Sequence, residues 1–178
     1  MKNNTQRISI CLLIIIACIG IDQLTKWLAA TYLQALTTQP LWEGVLHLTY
    51  AENTGAAFSM LADKRWVFMT VSTVGILAMS VYLFAFKPKT WLENLALSLV
   101  IGGGIGNMID RVALGYVVDF IDFRLINFAI FNGADSFVCV GAAMLILAMI
   151  FAIFRESKEK PQAKTHTESD VSSQPTGE

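Results

Sequence analysis

Long runs of apolar residues dominate this chain. Four of them approach the roughly 20 residues that a helix needs to cross the hydrocarbon layer of a membrane. They cover about residues 8–30, 66–86, 91–109 and 134–154. A strand exposed to lipid outside a closed barrel leaves its backbone polar groups unpaired, so helices are favoured. The pattern therefore predicts an all-α membrane protein with four transmembrane helices in one domain, residues 1–155.

The segments between the spans differ in length. Residues 31–65 and 110–133 form two long loops, and Val45–Tyr50 in the first of them has the composition of a short strand. We therefore expect a small β-containing region outside the membrane. Beyond residue 155 the sequence is rich in Ser, Thr, Gln and mixed charge, so residues 156–178 are predicted to be a disordered tail.

The composition agrees with the predicted spans. Hydrophobic residues make up 54% of the 178 residues and charged residues only 15%, which is typical of a membrane protein. The net charge of −1 provides no basic surface, so no nucleic-acid partner is expected. The two histidines lie far apart and the three cysteines stand singly in apolar runs. This spacing argues against a zinc site or a disulfide framework, and no metal or cofactor is expected.

Basic residues near the ends of the spans indicate orientation, because they are retained on the cytoplasmic side. One side carries eight of them, namely Lys2, Arg7, Lys87, Lys89, Arg155, Lys158, Lys160 and Lys164. The other side carries Lys64, Arg65, Arg111 and Arg124, with Lys26 at the end of the first span. Both termini, including the tail, are therefore predicted in the cytoplasm and both long loops outside.

Ionisable groups within a span are costly unless they are paired or hydrated, so each one suggests a function. In this chain the polar groups fall late in the first span, late in the third and at the start of the fourth. They are Asp22, Lys26, Asn107, Asp110, Arg111 and Asp135. The loop residues Glu52, Asn53 and Asp119 belong to the same side. The topology therefore predicts a polar site at the extracytoplasmic face of the membrane.

Spacing along the helices indicates which of these groups meet. Asp22 and Lys26 are four residues apart, an order that favours an ion pair. Asn107, Asp110 and Arg111 share one stripe of the third span, so an amide, a carboxylate and a guanidinium can orient one another. The alternative is that the pairs Asp22–Lys26 and Asp110–Arg111 only join helices.

Two further aspartates, Asp119 and Asp135, lack an obvious basic partner. Two carboxyl groups brought together beside apolar surface share a proton, and the pKa of one of them rises. One then acts as a base toward water and the other as an acid toward an amide nitrogen. Simpler roles stay open: Asn132 and Asp135 can form a capping box, and Asp119 can be a solvated loop residue. Asp122 competes with Asp119, because spacing cannot separate the two.

Other polar and glycine positions have structural interpretations. Gly102 and Gly106 form a small-xxx-small pair, which favours close helix packing over a phosphate-binding loop. His47 is predicted to be a surface residue of the short strand, and Asp63 to be the N-cap of the second span.

Two other classes of protein fit part of this pattern. A proton or ion carrier would use intramembrane charges, but it predicts charges at all depths. Here the cytoplasmic halves of the last three spans are almost bare apart from Glu93. A structural assembly subunit would use the glycine-rich third span as its binding face, but this leaves Asp119 and Asp135 unexplained.

Five short blocks of residues follow one another along the chain in a characteristic order. They are Asp22-Gln23-Leu24-Thr25-Lys26, Asn53-Thr54-Gly55-Ala56-Ala57-Phe58, Gly106-Asn107-Met108-Ile109-Asp110-Arg111, Val117-Val118-Asp119-Phe120 and Phe131-Asn132-Gly133-Ala134-Asp135-Ser136. Together they resemble the motifs of the lipoprotein signal peptidase family, also called signal peptidase II. The resemblance covers about residues 8–155, and five blocks in this order are far more specific than any one alone.

The resemblance implies an aspartic endopeptidase of the bacterial inner membrane, which removes the signal peptide of prolipoproteins just before a cysteine that carries diacylglycerol. It implies prolipoprotein substrates, contact with membrane lipid and inhibition by the cyclic peptide globomycin. The family's catalytic pair falls on Asp119 and Asp135, which favours Asp119 over Asp122. Residues implied to line or brace the site are Asp22, Lys26, Asn53, Asn107, Asp110, Arg111 and Asn132. One departure is Gly133, where many members carry a larger residue.

Overall fold

A computed structural model of the chain describes residues 3–55, 65–88 and 90–171, with the backbone alone at 65, 68 and 156–171. In this part of the chain the helices are α1 (Asn4–Leu33), α2 (Arg65–Val81), α3 (Trp91–Ala113) and α4 (Gly133–Val171). The strands are β1 (Thr38–Trp42), β2 (Leu46–Asn53) and β3 (Val117–Phe123). A π-helical turn, Tyr82–Phe86, extends α2, and a 3₁₀ turn, Arg124–Ile126, follows β3.

The predicted fold class is confirmed. In the described residues, four helices are long and apolar enough to cross a membrane, and each covers one predicted span. The differences lie at the ends: α1 begins at Asn4, α3 continues to Ala113 and α4 continues to Val171. Residues 156–171, predicted as part of a disordered tail, continue α4 as a helix. Residues 172–178 and Asp63 lie outside the described part of the chain, so the disorder of the last residues and the N-cap of the second span stay predictions.

Glycines allow α1 to approach α3 closely. Gly102 faces Cys18, and a Cβ at this position would lie only 2.7 Å from the Cβ of Cys18. Gly106, one turn further along α3, faces the carboxyl group of Asp22 at a distance that leaves no room for a Cβ. The predicted packing role of this glycine pair is therefore confirmed, and it places the polar residues of α1 directly against α3.

A three-stranded antiparallel sheet, in the order β1–β2–β3, covers one end of the bundle. This is the end where α1 and α3 finish and α4 begins, and we call it the sheet end. Val118 of β3 packs on Ala29 and Leu33 of α1. The sheet contains the predicted strand near Val45–Tyr50, which confirms the β-containing region.

A register shift in β2 decides which residues of β2 and β3 lie opposite each other in the sheet. His47 pairs with Asp122 and Ala51 pairs with Asp119, with a bulge between Leu48 and Ala51. The extra residue of a bulge changes the direction of the strand. Consequently the end of β2, at Asn53, lies beside the part of β3 that carries Asp119.

A second buried polar cluster closes the opposite end of the bundle. The Nη1 of Arg7 donates to the backbone oxygen of Leu83 at 2.8 Å and to Oδ1 of Asn94 at 2.9 Å. Asn94 in turn donates to the backbone oxygens of Pro88 and Thr90. The π-helical turn of α2 thus offers a carbonyl oxygen to a cation from α1, which joins α1, α2 and α3. The sequence pattern indicates Arg7 only as a signal of membrane topology.

Candidate active site

Of the polar residues that the sequence places at the sheet end, Glu52 stays outside the site, where it accepts from Tyr50, and the other nine come together. They are Asp22 and Lys26 of α1, Asn53 of β2, Asn107, Asp110 and Arg111 of α3, Asp119 of β3, Asn132 just before α4, and Asp135 in the first turn of α4. Hydrogen bonds and ion pairs join all nine into one network. The network connects five elements that are distant in the sequence.

Asp119 occupies the middle of β3 and is 2% exposed. Both of its carboxyl oxygens accept hydrogen bonds from side-chain amides, Oδ2 from Asn53 at 2.9 Å and Oδ1 from Asn132 at 2.6 Å. Burial raises the pKa of Asp119 to about 6, and the charge of Asp135 acts in the same direction; the two amide donors and the charge of Lys26 oppose the rise. Asp119 therefore holds its proton to a higher pH than an ordinary aspartate does.

Asp135 is the third residue of α4 and forms a capping box with Asn132. Its backbone N–H donates to Oδ1 of Asn132 at 3.0 Å, and its Oδ2 accepts from the backbone N–H of Asn132 at 3.3 Å. Its other oxygen accepts from Nδ2 of Asn107 at 2.7 Å. The capping role and the site role, which the sequence presents as alternatives, coexist in one residue.

Asn132 links the two carboxyl groups. Its Nδ2 donates to Asp119 and also, at 3.1 Å, to Oδ1 of Asn107, whereas its backbone N–H donates to Asp135. The residue is fully buried, and its two side-chain bonds are shielded from water. The two aspartates are consequently held by a common set of partners, and they interact electrostatically.

Lys26 is the cation at the centre of the network, and it is 3% exposed. Its ammonium contacts Oδ2 of Asp22 at 2.9 Å, Oδ2 of Asp110 at 3.0 Å and Oδ1 of Asn107 at 2.9 Å. Three partners match the three hydrogens of an ammonium group. The predicted Asp22–Lys26 ion pair is confirmed.

The two carboxylates beside Lys26 hold the backbone just before each member of the aspartate pair. Oδ1 of Asp22 accepts from the N–H of Ala134, the residue before Asp135, at 2.9 Å. Oδ2 of Asp110 accepts from the N–H of Val118, the residue before Asp119, at 3.1 Å. The buried ion cluster is therefore connected to both candidate catalytic positions.

The expected pairing of Asp110 with Arg111 is wrong. Asp110 pairs with Lys26 across the α1–α3 contact, because consecutive residues of a helix do not face each other. Arg111 donates to the backbone oxygen of Asn107 at 3.3 Å. Its charge interacts with Asp135 first and then with Asp119, so it faces the aspartate pair.

The structure separates Asp119 from Asp122, which the sequence alone leaves equivalent. Residues three apart in a strand face opposite sides of the sheet. Asp122 accepts from Thr49 at 2.7 Å and from Arg124 at 2.9 Å. Its burial would raise its pKa, but these hydrogen bonds and the charge of Arg124 lower it overall. Asp119, not Asp122, shares partners with Asp135.

His47 is not a surface residue, contrary to the expectation from the sequence. It is 4% exposed, and its Nε2 accepts from the backbone N–H of Gly44 at 3.2 Å. The ring thus fastens the turn between β1 and β2 and takes no part in the polar network. His47 is buried because it lies opposite Asp122 in the sheet and next to the turn at Gly44. The sequence pattern alone does not show this pairing.

Gln23 also belongs to the network, although the sequence pattern does not single it out. Its Nε2 donates to Oδ1 of Asp110 at 2.9 Å and to the backbone oxygen of Gly106 at 3.2 Å. The signal was present, since Gln23 lies between Asp22 and Lys26 in an otherwise apolar span. A polar residue in a span calls for a partner even when it carries no charge.

Among the described residues, no group of three or more His, Cys, Asp or Glu side chains could hold a metal ion. The carboxyl groups of the site are instead satisfied by amides, backbone N–H groups and Lys26. The fold and the site thus define a multi-pass membrane protein with a pair of aspartates, Asp119 buried and Asp135 partly buried, at one end of a helical bundle.

Comparison with known proteins gives the family. The profile of the signal peptidase (SPase) II family matches residues 14–151. The lipoprotein signal peptidase of Caldanaerobacter subterraneus subsp. tengcongensis is 47% identical over 140 residues, which cover 79% of this chain and 95% of the relative. That of Clostridioides difficile is 43% identical over 149 residues, which cover 84% of this chain and 98% of the relative.

Two solved structures of bacterial membrane enzymes, both obtained by the in meso method, have the same fold. One has a TM-score of 0.74 at 34% identity and covers 80% of this chain and 88% of its own. The other has a TM-score of 0.73 at 32% identity and covers 80% of this chain and 93% of its own. The chain belongs to the signal peptidase II family and is a membrane-bound peptidase.

Proposed function

We propose that the chain removes the signal peptide from diacylglyceryl-modified prolipoproteins by cleaving just before the lipidated cysteine, and that Asp119 and Asp135 activate the attacking water. Membership of the family supports the substrate. The observation that carries the chemistry is the aspartate pair: two carboxyl groups from different elements share Asn132, and burial raises the pKa of one of them to about 6.

The environments of the two carboxyl groups suggest different roles. Asp135 is only partly buried and accepts from Asn107 and from a backbone N–H, and we assign it the role of the base that takes a proton from water. Asp119 keeps its proton to higher pH and donates it to the leaving amide nitrogen. The water oxygen forms a bond to the scissile carbonyl carbon, and the C–N bond then breaks. Asp135 ends with the proton taken from water and Asp119 without the proton given to the amine, so the pair keeps the same number of protons.

Arg111 is placed to support this reaction. Its guanidinium is half-buried on α3 and interacts electrostatically with Asp135 and Asp119. A cation beside the pair limits the net negative charge that develops when water is deprotonated. We therefore assign Arg111 an electrostatic role and not the pairing role with Asp110 that spacing suggested.

The orientation of the protein in the membrane determines how substrate reaches the site. The sheet end corresponds to the extracytoplasmic face of the bacterial inner membrane, and both termini lie in the cytoplasm, since the flanks of the opposite end carry more Lys and Arg. A lipidated cysteine is anchored in the outer leaflet of that membrane, at the depth of the aspartate pair. Exposed apolar residues of the sheet end, such as Leu125, Ile126 and Phe128, suit contact with lipid.

Reporter fusions test the orientation. We expect a C-terminal alkaline phosphatase fusion to be inactive and a C-terminal green fluorescent protein fusion to be fluorescent in cells, because the former folds only outside the cytoplasm. Active phosphatase at the C-terminus would place the sheet end inside the cell and would contradict the proposed access route.

Cleavage of a purified substrate tests the activity. We expect the protein to cut a diacylglyceryl-modified prolipoprotein, to leave the unmodified form intact and to be inhibited by globomycin. Asp119→Asn and Asp135→Asn should abolish cleavage while the protein remains folded. Asp122→Asn is the matched control, because it makes the same change on the same strand at the other face. Cleavage by either site variant would overturn the assignment of the pair.

A further inference from the structure

The three partners of Lys26 lead to the two aspartates by separate routes. Through Asp22 the route reaches the N–H of Ala134, and through Asp110 it reaches the N–H of Val118. The third route runs through the side chain of Asn107 to Oδ1 of Asp135. Asn132 bonds to both aspartates directly, whereas Lys26 reaches them only through other residues.

We propose that Lys26 is a positioning residue for the reaction: its ammonium group fixes the amide of Asn107 in the orientation that donates to Asp135, and it sets the spacing of the two aspartates through Asp22 and Asp110. This inference rests on the proposed function. It assigns to Lys26 a definite action on the reacting carboxyl groups without contact with substrate.

The orientation of the Asn107 amide follows from hydrogen-bond chemistry. An ammonium group has hydrogens to donate and no lone pair. The atom of Asn107 that faces Lys26 at 2.9 Å must therefore be the oxygen, and this same oxygen accepts from Asn132 at 3.1 Å. The nitrogen is left to face Asp135 at 2.7 Å. A reversed amide would bring a donor against Lys26 and an acceptor against a carboxylate.

The charge of Lys26 also reaches the pair. The charged groups that face Asp119 come from three helices: Asp135 of α4 raises its pKa, Lys26 of α1 lowers it, and Arg111 of α3 interacts with it attractively. Lys26 itself is faced by Asp22 and Asp110. Removal of the Lys26 charge therefore raises the pKa of Asp119 and keeps its proton in place to higher pH.

The test compares Lys26→Met and Lys26→Arg by the pH profile of kcat/KM on a diacylglyceryl-modified prolipoprotein. We expect Lys26→Met to lose about 100-fold in kcat with little change in KM, the size expected for a slight misplacement of reacting groups, and its alkaline limb to move to higher pH. Lys26→Arg keeps a charged group that only donates, so it should recover most of the rate and the wild-type limb. Lys87→Met, an exposed lysine at the opposite end, is the matched control.

A second variant keeps the inference testable where Lys26→Met does not fold, since it leaves two buried carboxylates beside each other. Asn107→Asp has the same shape and retains an acceptor toward Lys26, which also neutralises the new charge. It replaces only the donor to Asp135 by an acceptor. We expect a folded protein that has lost cleavage by about 100-fold or more, because two acceptor oxygens then face each other where Asn107 donates to Asp135.

The outcomes separate the two proposals. If the wild-type protein fails to cleave the modified substrate, the proposed function is wrong. If the wild-type protein cleaves it and Asn107→Asp is as active as wild type, or if a folded Lys26→Met has the wild-type pH profile, then Lys26 has only a structural role and the inference is wrong.

Discussion

Oδ1 of Asp22 accepts a 2.9 Å hydrogen bond from the backbone N–H of Ala134, so a carboxylate of the first helix caps the start of the last. The first N–H groups of a helix have no acceptor within the helix. In α4, the N–H of Ala134 finds its acceptor in a residue that is 112 positions earlier in the chain. Asp22 is completely buried. The position of Asp135, the next residue of α4, therefore depends on the packing of α1 against α4.

Replacement of Asp22 by alanine should destabilise the protein. The change removes one partner of a buried ion pair, a loss that typically costs about 3–5 kcal/mol, and leaves the N–H of Ala134 unsatisfied. Asp22→Asn should cost less, because its amide oxygen still accepts from Ala134. Thermal unfolding of the detergent-solubilised variants measures both, and equal stability of Asp22→Ala and wild type would refute the cap.

The charge of Asp119 should make the folded protein less stable as the pH rises. Its pKa is about 6 in the folded state, against 3.8 ordinarily, so the folded chain binds more protons than the unfolded chain between these values and stability falls across that window. Asp119→Asn removes the titrating group. Its stability relative to wild type should therefore rise by about 2–3 kcal/mol between pH 4 and pH 7.

The control for this pH dependence is Asp122→Asn, for which the sign is reversed. The pKa of Asp122 is lowered in the folded state, so its ionised form adds stability above its ordinary pKa, and this stability is lost as the pH falls. This change falls below the ordinary pKa of 3.8, so the stability of Asp122→Asn relative to wild type should stay nearly constant from pH 4 to pH 8. Parallel behaviour of the two variants in thermal unfolding from pH 4 to pH 8 would show that Asp119 is not perturbed.

The partner of Asp110 is testable by comparing stability with activity. Asp110→Asn removes an anion from Lys26 and should cost about 3 kcal/mol. Arg111→Gln leaves the Lys26 cluster intact and should change stability by less than about 1 kcal/mol, while cleavage falls because the guanidinium faces the aspartate pair. Similar losses of stability in the two variants would support a pairing of Asp110 with Arg111 and contradict its pairing with Lys26.

Two glycine substitutions test the close approach of α1 and α3. In Gly106→Ala the new Cβ would overlap Oδ2 of Asp22, an oxygen that Lys26 holds in place, so we expect a loss of about 1–3 kcal/mol and weaker cleavage. Gly20→Ala is the matched control in α1, since nothing lies within 4 Å of its Cβ. It should gain up to about 1 kcal/mol from helix propensity. A stable, fully active Gly106→Ala would contradict the packing.

The membrane fold was predictable because backbone polar groups must be hydrogen-bonded within the chain when they lie in lipid, which requires long apolar helices. The length of each apolar run in the sequence shows where such a helix lies. The Asp22–Lys26 pair was predictable for a similar reason, since both residues lie on one helix and the helical repeat fixes their separation. Contacts within an element follow from its geometry alone.

Contacts between elements were not predictable in this way. The pairing of Asp110 with Lys26 depends on how α1 and α3 are rotated about their axes, and glycine spacing sets the distance between the helices but not this rotation. The choice between Asp119 and Asp122 depends on which face of β3 turns toward α4, which a bulge in β2 helps to decide. Alternation along the strand shows only that the two residues face opposite sides.

The capping box at the start of α4 has a consequence for the timing of assembly. Asp135 contributes its carboxyl group to the box that begins the helix, so the first turn of α4 cannot close with this side chain elsewhere. The side chain needs no later rearrangement to reach this orientation, and formation of a local motif in the chain positions one of the two proposed catalytic carboxyl groups.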